Sequence, residues 1–235
     1  MRMKRLIALG ALCCAACGHS GAQGLGLSDD FTGPDGVIAA EGTPVQPGDK
    51  WIVTSGTLFR DNGTAWTGPP DESTGSEVFR MVSVVRGFND LQMSLAMRVD
   101  AMSTTARTPA QDYDGAHIWV RYQSDVALYA VSVDRRDATM TIKKKCAGGT
   151  DNGGTYYDLN GFVHDVPIPF WEWQHITVTV RDHPDGSVHI DAARDGITMS
   201  AVDDGVGCAP LRGGGVGIRG DNAELRFADI SVTSL

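Results

Sequence analysis

Leu91-Gln-Met-Ser-Leu-Ala-Met-Arg-Val99 carries an apolar side chain at every odd position and a polar or small one at nearly every even position. Period two is the period of a β-strand, so one face of this segment is buried and the other is not. The same reading repeats outward from it. Val78–Val85 precedes it. Ala116-His-Ile-Trp-Val-Arg-Tyr-Gln123, Leu128–Val133 and Ala138–Lys145 follow, joined by the short polar links Ser124-Asp125 and Asp134–Asp137. These three read as an antiparallel meander. Trp173–Val180 turns through Asp182–Gly186 into Ser187–Ile190, and Gly215–Ile218 turns through Gly220–Asn222 into Glu224–Phe227 and Ile230–Thr233. Between Phe227 and Ile230 the alternation slips by one, which predicts a β-bulge at Ala228-Asp229. The last strand is expected to pair with Ser28–Phe31 and so protect a sheet edge.

The chain has 235 residues with 29 glycines and a net charge of −9. Turn pairs such as Pro34-Asp-Gly36, Asp61-Asn-Gly63, Asp151-Asn-Gly153 and Asp195-Gly196 punctuate it, and each supplies a positive-φ position or an Asx turn. No long 3.6-residue apolar period occurs beyond the first residues. The chain reads as all-β, with one core of slightly over two hundred residues. Its acidic balance excludes general attraction to nucleic acid or anionic membrane.

Met1-Arg-Met-Lys-Arg5, the apolar Leu6–Leu12 and the small residues up to Cys17 form a secretory leader. The apolar run is too short to span a bilayer. Ala15-Ala16-Cys17 resembles a lipobox, with Cys14 where that pattern prefers Leu. The expected organisation is a leader at 1–17 with Cys17 lipidated, a glycine-rich linker at 18–27 and one domain at 28–235. Membrane contact is expected only through that lipid, with ordinary secretion as the alternative. Two cysteines then remain in the body, Cys146 and Cys208, and neither has metal-ligand spacing to another. In an oxidising compartment they are expected to pair, closing a loop worth roughly 4 kcal/mol by chain entropy. Two separate buried thiols are the alternative.

Trp173-x-x-Ile176-Thr-Val-Thr-Val180, the hairpin to Val188-x-Ile190, Asp195-Gly196, and the ending Gly214-Gly-Val-Gly-Ile-Arg219 with Glu224–Ile230 resemble the laminin-G / concanavalin-A-like jelly roll. The resemblance covers most of 28–235. It implies a two-sheet antiparallel sandwich whose terminal strands lie together. The family includes sugar-binding modules, glycoside hydrolases and polysaccharide lyases, so the fold alone does not select a function.

In the meander, alternation places Ile118, Val120 and Tyr122 on the buried face and His117, Trp119, Arg121 and Gln123 on the other. Ala130, Ser132 and Asp134 are expected to join that outer face from the second strand, and Thr141, Lys143 and Lys145 from the third. An indole that stacks on a pyranose ring, beside a guanidinium and an amide, suits an oligo- or polysaccharide. Tyr156 and Tyr157, in the loop that follows, are expected to add contacts. A solvated sheet face is the bland alternative, as is an edge strand blunted by Lys143-Lys-Lys145. Trp171-Glu-Trp173 is expected to rim the groove or to start a strand, with Trp173 in the core.

Enzyme readings need tighter constellations. The glucanase run Glu-x-Asp-x-(x)-Glu is absent, and Glu41, Glu72, Glu77, Glu172 and Glu224 are scattered. A β-eliminating lyase acting on a uronate could use Arg121 and Gln123 as neutralisers, His117 as base and Tyr156 or Tyr157 as acid. The Arg-x-Glu-x-Arg and Gln-Ile-His runs of alginate lyases are missing. Asp30, Asp221 and Asp229, with Asp29 and Asn222 nearby, could hold a structural Ca²⁺ if the terminal strands pair. The leading expectation is an exported, lipid-anchored carbohydrate-binding jelly roll of the bacterial cell envelope. The alternatives are a polysaccharide-degrading enzyme, most plausibly a lyase, and a structural envelope lipoprotein without a ligand.

Overall fold

The computed structural model describes residues 24–69 and 77–235. The leader and the lipidation expected at Cys17 lie outside the described residues. Within them the chain forms β1 (Gly26–Asp29), β2 (Gly36–Ala40), β3 (Trp51–Ser55), β4 (Thr57–Asp61), β5 (Thr64–Trp66), β6 (Val78–Ser83), β7 (Leu91–Met102) and β8 (Gly115–Ser124). It continues as β9 (Ala127–Arg135), β10 (Thr141–Asp151), β11 (Gly154–Asp158), β12 (Gln174–Asp182), β13 (Val188–Arg194), β14 (Ile197–Asp203), β15 (Gly215–Asp221) and β16 (Ala223–Ser234). β1 begins inside the stretch expected to be linker, and its Leu27 is buried.

Nine strands make one antiparallel sheet, ordered β14-β13-β12-β7-β16-β5-β4-β2 with β1 also on β16. Seven make the other, ordered β11-β10-β9-β8-β15-β6-β3. The meander is therefore real, and β1 pairs with β16 through Ser28↔Ser231 as the terminal-strand argument requires. The register of β16 on β7 shifts between Ala228 and Ser231, with Asp229 at φ 51°, so the bulge falls where the alternation slips. Leu91, Met93, Leu95, Met97 and Val99 face inward between the sheets, against Ile118, Val120, Val131 and Ile142 from the other side.

Three cations are buried among these aliphatics, and each meets a carboxylate from the opposite sheet. Lys144 of β10 donates to Asp203 of β14 (2.7 Å). Arg194 of β13 donates to Asp134 of β9 (2.5 Å). Arg121 of β8 donates to Asp182 at the end of β12 (2.5 Å). The spare donors reach loop carbonyls, from Lys144 to Cys208, from Arg194 to Pro167 and from Arg121 to Asn89 and Leu211. Cys146 and Cys208 form a disulfide, which staples the same loop to β10 across a separation of 62 residues.

Two expectations about this region are corrected. β10 is not an edge strand, because β11 covers it, and the middle lysine of Lys143-Lys-Lys145 points into the sandwich. Trp173 is not in the core. It lies just before β12, 43% exposed, with the Arg98 guanidinium over its ring.

Removing one member of a buried pair strands the other in a low-dielectric interior. Lys144→Met is expected to lower stability by about 3–5 kcal/mol in urea denaturation. The double variant Lys144→Met/Asp203→Leu should recover most of that loss, because no charge is then left unpaired.

A cavity on the outer face of the seven-stranded sheet

His117 and Trp119 of β8, Ala130 and Ser132 of β9, Lys143 of β10, Tyr156 of β11 and Arg219 and Asp221 of β15 point away from the core on adjacent strands. They floor a cavity of 520 Å³. Its walls are Tyr113, Arg135 and the tip of the β10–β11 hairpin, Thr150-Asp151-Asn152. That tip is the expected Asn-Gly turn, with Asn152 at φ 51° and Gly153 at φ 81°, the backbone that a tight hairpin demands.

An ordered polar cluster occupies the floor. Ser132 Oγ and His117 Nδ1 are hydrogen-bonded at 2.8 Å. His117 Nε2 stands 3.3 Å from Asp221 Oδ2, and Arg219 Nε stands 2.6 Å from the same oxygen. Arg219 Nη1 donates to Tyr156 Oη at 3.2 Å, and the Lys145 ammonium sits over the Tyr156 ring. Burial lowers the His117 pKa, more than the Asp221 carboxylate raises it, so the imidazole is neutral at physiological pH. Burial alone would raise Asp221, but the Arg219 charge and the His117 hydrogen bond outweigh it and hold the carboxyl at about 2. Burial also raises Tyr156, and it lowers Lys145 with help from the Arg219 and Arg80 charges. At physiological pH the floor thus offers fixed donors and one fixed carboxylate.

Of the residues expected at the site, His117, Trp119, Lys143 and Tyr156 line the cavity, with Ala130 and Ser132 beside them. Lys145 abuts it through Tyr156. Arg121 does not line it. Its φ of 46° marks a break in the register of β8, between Val120 and Ser124 against β9 and between Gly215 and Gly217 on β15. A bulge advances the side-chain parity by one, so Arg121 turns inward to 0% exposure and Tyr122 turns outward in its place. Gln123 consequently leaves the site and donates to the carbonyls of Arg212 and Gly213. A second bulge, between Ala116 and His117 against β9, sends Asp134 inward to Arg194 and Gln174. Tyr157 points to the opposite side of β11 from Tyr156 and packs where a side chain at Gly207 would lie.

Trp119 is in place but is not an open platform. It is 2% exposed, stacked on Tyr122 at 5.5 Å and 9°, and packed with Val82, Leu128 and Ala130. It contributes to the cavity lining, while its buried Nε1–H has no acceptor. The open aromatic at the rim is Tyr113, 47% exposed, which sequence reasoning missed. It also missed Arg135, and it gave Asp221 a different role. Alternation along Gly215–Asp221 does place Arg219 and Asp221 on the polar face, but pairing β15 beside β8 is a long-range event with no local signal.

The calcium set is not assembled. Asp30 is exposed and caps Thr32, Asp229 occupies the bulge, and Asp221 is committed to Arg219 and His117. Among the described residues no group of three or more His, Cys, Asp or Glu converges. Asp30, Asp221 and Asp229 do not together fit that ion.

Two antiparallel sheets of nine and seven strands, with the first and last strands paired, make a jelly-roll sandwich. The fold is the concanavalin-A-like jelly roll. The chain is similar in structure to the carbohydrate-binding module CBM66 from Bacillus subtilis, with a TM-score of 0.57, 13% identity and coverage of 79% of this chain and 96% of that one. It is similar to β-agarase B from Zobellia galactanivorans, with a TM-score of 0.57, 11% identity and coverage of 88% and 91%. It is also similar to the exoplasmic/lumenal domain of VIP36 in its Ca²⁺/Man2-bound form, with a TM-score of 0.53, 11% identity and coverage of 89% and 87%. No protein-family model matches the chain, and no curated protein sequence matches it.

Two of the perturbed groups, His117 and Asp221, destabilise the fold in acid. His117 binds its proton more readily when unfolded, so its contribution is complete above pH 6.5 and falls as the pH drops below that value. Asp221 has a folded pKa of about 2 against 3.8, so its share, on the order of 2 kcal/mol, is lost as the pH falls from about 4 towards 2. Urea midpoints measured between pH 7 and pH 2 should fall in two stages. His117→Gln should flatten the upper stage, and Asp221→Asn the lower.

Proposed function

We propose that this chain is an exported, lipid-anchored carbohydrate-binding protein of the bacterial cell envelope. In this reading a sugar unit of an oligo- or polysaccharide enters the cavity beneath the Asp151-Asn152 turn. The observation that carries it is the cavity itself: 520 Å³, lined by Tyr113, Asp151, Asn152, Lys143 and Arg135 over a hydrogen-bonded polar floor. An exposed phenol ring can stack on the C–H face of a pyranose. The hairpin tip and the cations can meet its hydroxyls or an acidic substituent. The three structural neighbours agree in kind, being a carbohydrate-binding module, an agarase and a domain in a Man2-bound form. Export and the lipid anchor rest on the leader sequence ending at Cys17, and the Cys146–Cys208 bridge agrees with an oxidising compartment.

The lyase reading is weaker on this geometry. His117 is buried, with Nδ1 hydrogen-bonded to Ser132 and Nε2 facing the Asp221 carboxylate at 3.3 Å, a poor placement for taking an α-proton. Arg121 and Gln123, its expected carboxylate neutralisers, lie elsewhere.

The test is a glycan array followed by titration calorimetry on the best ligand. Tyr113→Ala/Asp151→Ala alters only groups at the open rim and is expected to weaken binding at least about tenfold, or 1.4 kcal/mol, with an unchanged melting temperature. Unchanged affinity, or no retained glycan at all, would refute the reading. Unsaturated product at ultraviolet wavelengths from a uronate polymer would replace it with the lyase.

A further inference from the structure

Among the described residues, every buried lysine and arginine but one meets a carboxylate. Arg121, Arg135, Lys144 and Arg194 pair with Asp182, Asp137, Asp203 and Asp134. Lys145 is 3% exposed and meets none among those residues. Its stem lies over Gly154 on β11, where a Cβ would come within 2.6 Å of Cε, so the glycine leaves the lysine its place. Its ammonium rests on the Tyr156 ring, 5.1 Å from the centre. A ring face attracts a cation but does not neutralise it.

The same phenol gathers two more cations. Arg219 Nη1 donates to its hydroxyl. Arg80 of β6 stands directly opposite Arg219 of β15 in the strand register. Phe79 and Met81, on either side of Arg80, lie in the core, so Arg80 faces outward beside Arg219. Arg80 is half-buried, its Nε is withdrawn from water without an acceptor, and no carboxylate meets it among the described residues. Like charges directly opposite on neighbouring strands repel. The repulsion reaches Lys145, whose pKa burial lowers first and the Arg219 and Arg80 charges lower further. Of these three cations only Arg219 has a carboxylate, that of Asp221.

Left to itself such a cluster is expensive, because a desolvated charge without a counterion is heavily penalised. An anion reverses the balance through charge-assisted hydrogen bonds. The cavity reaches Tyr156 and Arg219, so an acidic group that enters it comes under all three charges. The two carboxylates in its lining do not compete for that place. Asp221 is engaged by Arg219 and His117, and Asp151 is exposed on the hairpin tip, at the height of the ring hydroxyls. The chain as a whole carries a net charge of −9 and repels polyanions, so a preference for them has to arise locally.

We propose that the sugar unit bound in this cavity bears an acidic group, a carboxylate or a sulfate ester, and that Lys145, Arg219 and Arg80 around Tyr156 receive it. The inference rests on the carbohydrate reading of the cavity and names its substrate class.

The experiment is titration calorimetry of the disulfide-bonded chain against two matched pairs, polygalacturonate with its methyl ester and carrageenan with its desulfated form. At least one acidic member is expected to bind at least about tenfold more tightly than its neutral form, and the pair that shows it distinguishes carboxylate from sulfate. Lys145→Met should reduce that ratio to under about threefold, and Lys50→Gln, which removes one charge from an exposed lysine, should leave it within about twofold. Lys145→Met should also melt no lower than the unaltered chain. A loss of stability like that of Lys144→Met would mean that the ammonium already has its partner inside the fold, and would overturn the proposal. So would equal loss of preference in the Lys50 and Lys145 variants, which would assign it to net charge. Retention of neutral glycans with no preference for either acidic polymer overturns this inference and leaves the carbohydrate reading standing, whereas no retention of any glycan on the array overturns both.

Discussion

The sandwich depends on three cations held between its sheets. Lys144, Arg121 and Arg194 each meet a carboxylate supplied by the opposite sheet. A hydrophobic core alone tolerates sliding, because apolar contacts are not directional. A charge-assisted hydrogen bond is directional, and an unmet charge in that interior is heavily penalised. The pairs add little net stability over well-packed aliphatics. Their effect is to make other alignments of the two sheets unfavourable, since any slip strands a charge. The same cations donate to the carbonyls of Cys208, Leu211 and Pro167, so they also fix the connections that cross the sandwich.

That inner arrangement shapes the outer one. For Arg121 to reach Asp182, β8 must bulge, and the bulge moves Tyr122 outward. Tyr122 then stacks on Trp119, takes the Arg86 guanidinium over its ring and donates to Asp125. This stack closes one end of the outer face, and the cavity begins beyond it, at His117. Gly214 belongs to the same device, because a side chain there would collide with the backbone of Arg121 at 2.6 Å. A buried ion pair and a solvent-facing cavity are thus two consequences of one break in register.

The sequence was legible wherever period two held without interruption. Leu91–Val99 was read correctly, and so was the outer face of β8 from His117 to Trp119. The reading failed two residues later, at Arg121, because a bulge reverses side-chain parity and an arginine carries no local mark of a positive φ. Asp134 was misplaced by the same effect on the neighbouring strand. Trp173 was misjudged for a different reason. Tryptophan is usually buried, and its position outside rests on Arg98, 75 residues away in the sequence and adjacent only after β7 and β12 pair. The Cys146–Cys208 bridge was legible because elimination left two cysteines, whereas Arg219 and Asp221 needed the order of strands in the sheet.

The floor of the cavity bears on whether this face has a purpose beyond folding. A sandwich gains stability by covering its outer faces with isolated charges or with nothing at all, since water satisfies them. Here His117, Ser132 and Asp221 are withdrawn from water, and Arg219 is half-buried beside them, on a face that has no need to be dry. The β10–β11 hairpin and Tyr156 shield them, yet a cavity is left open above. Desolvating that cluster costs free energy which the fold recovers only in part through its internal hydrogen bonds. The Trp119 N–H recovers nothing at all. A structural role accounts for a closed, fully paired cluster or for an exposed one. A shielded cluster beneath an open space walled by Tyr113 and Asp151 is the arrangement that the proposed carbohydrate guest would use.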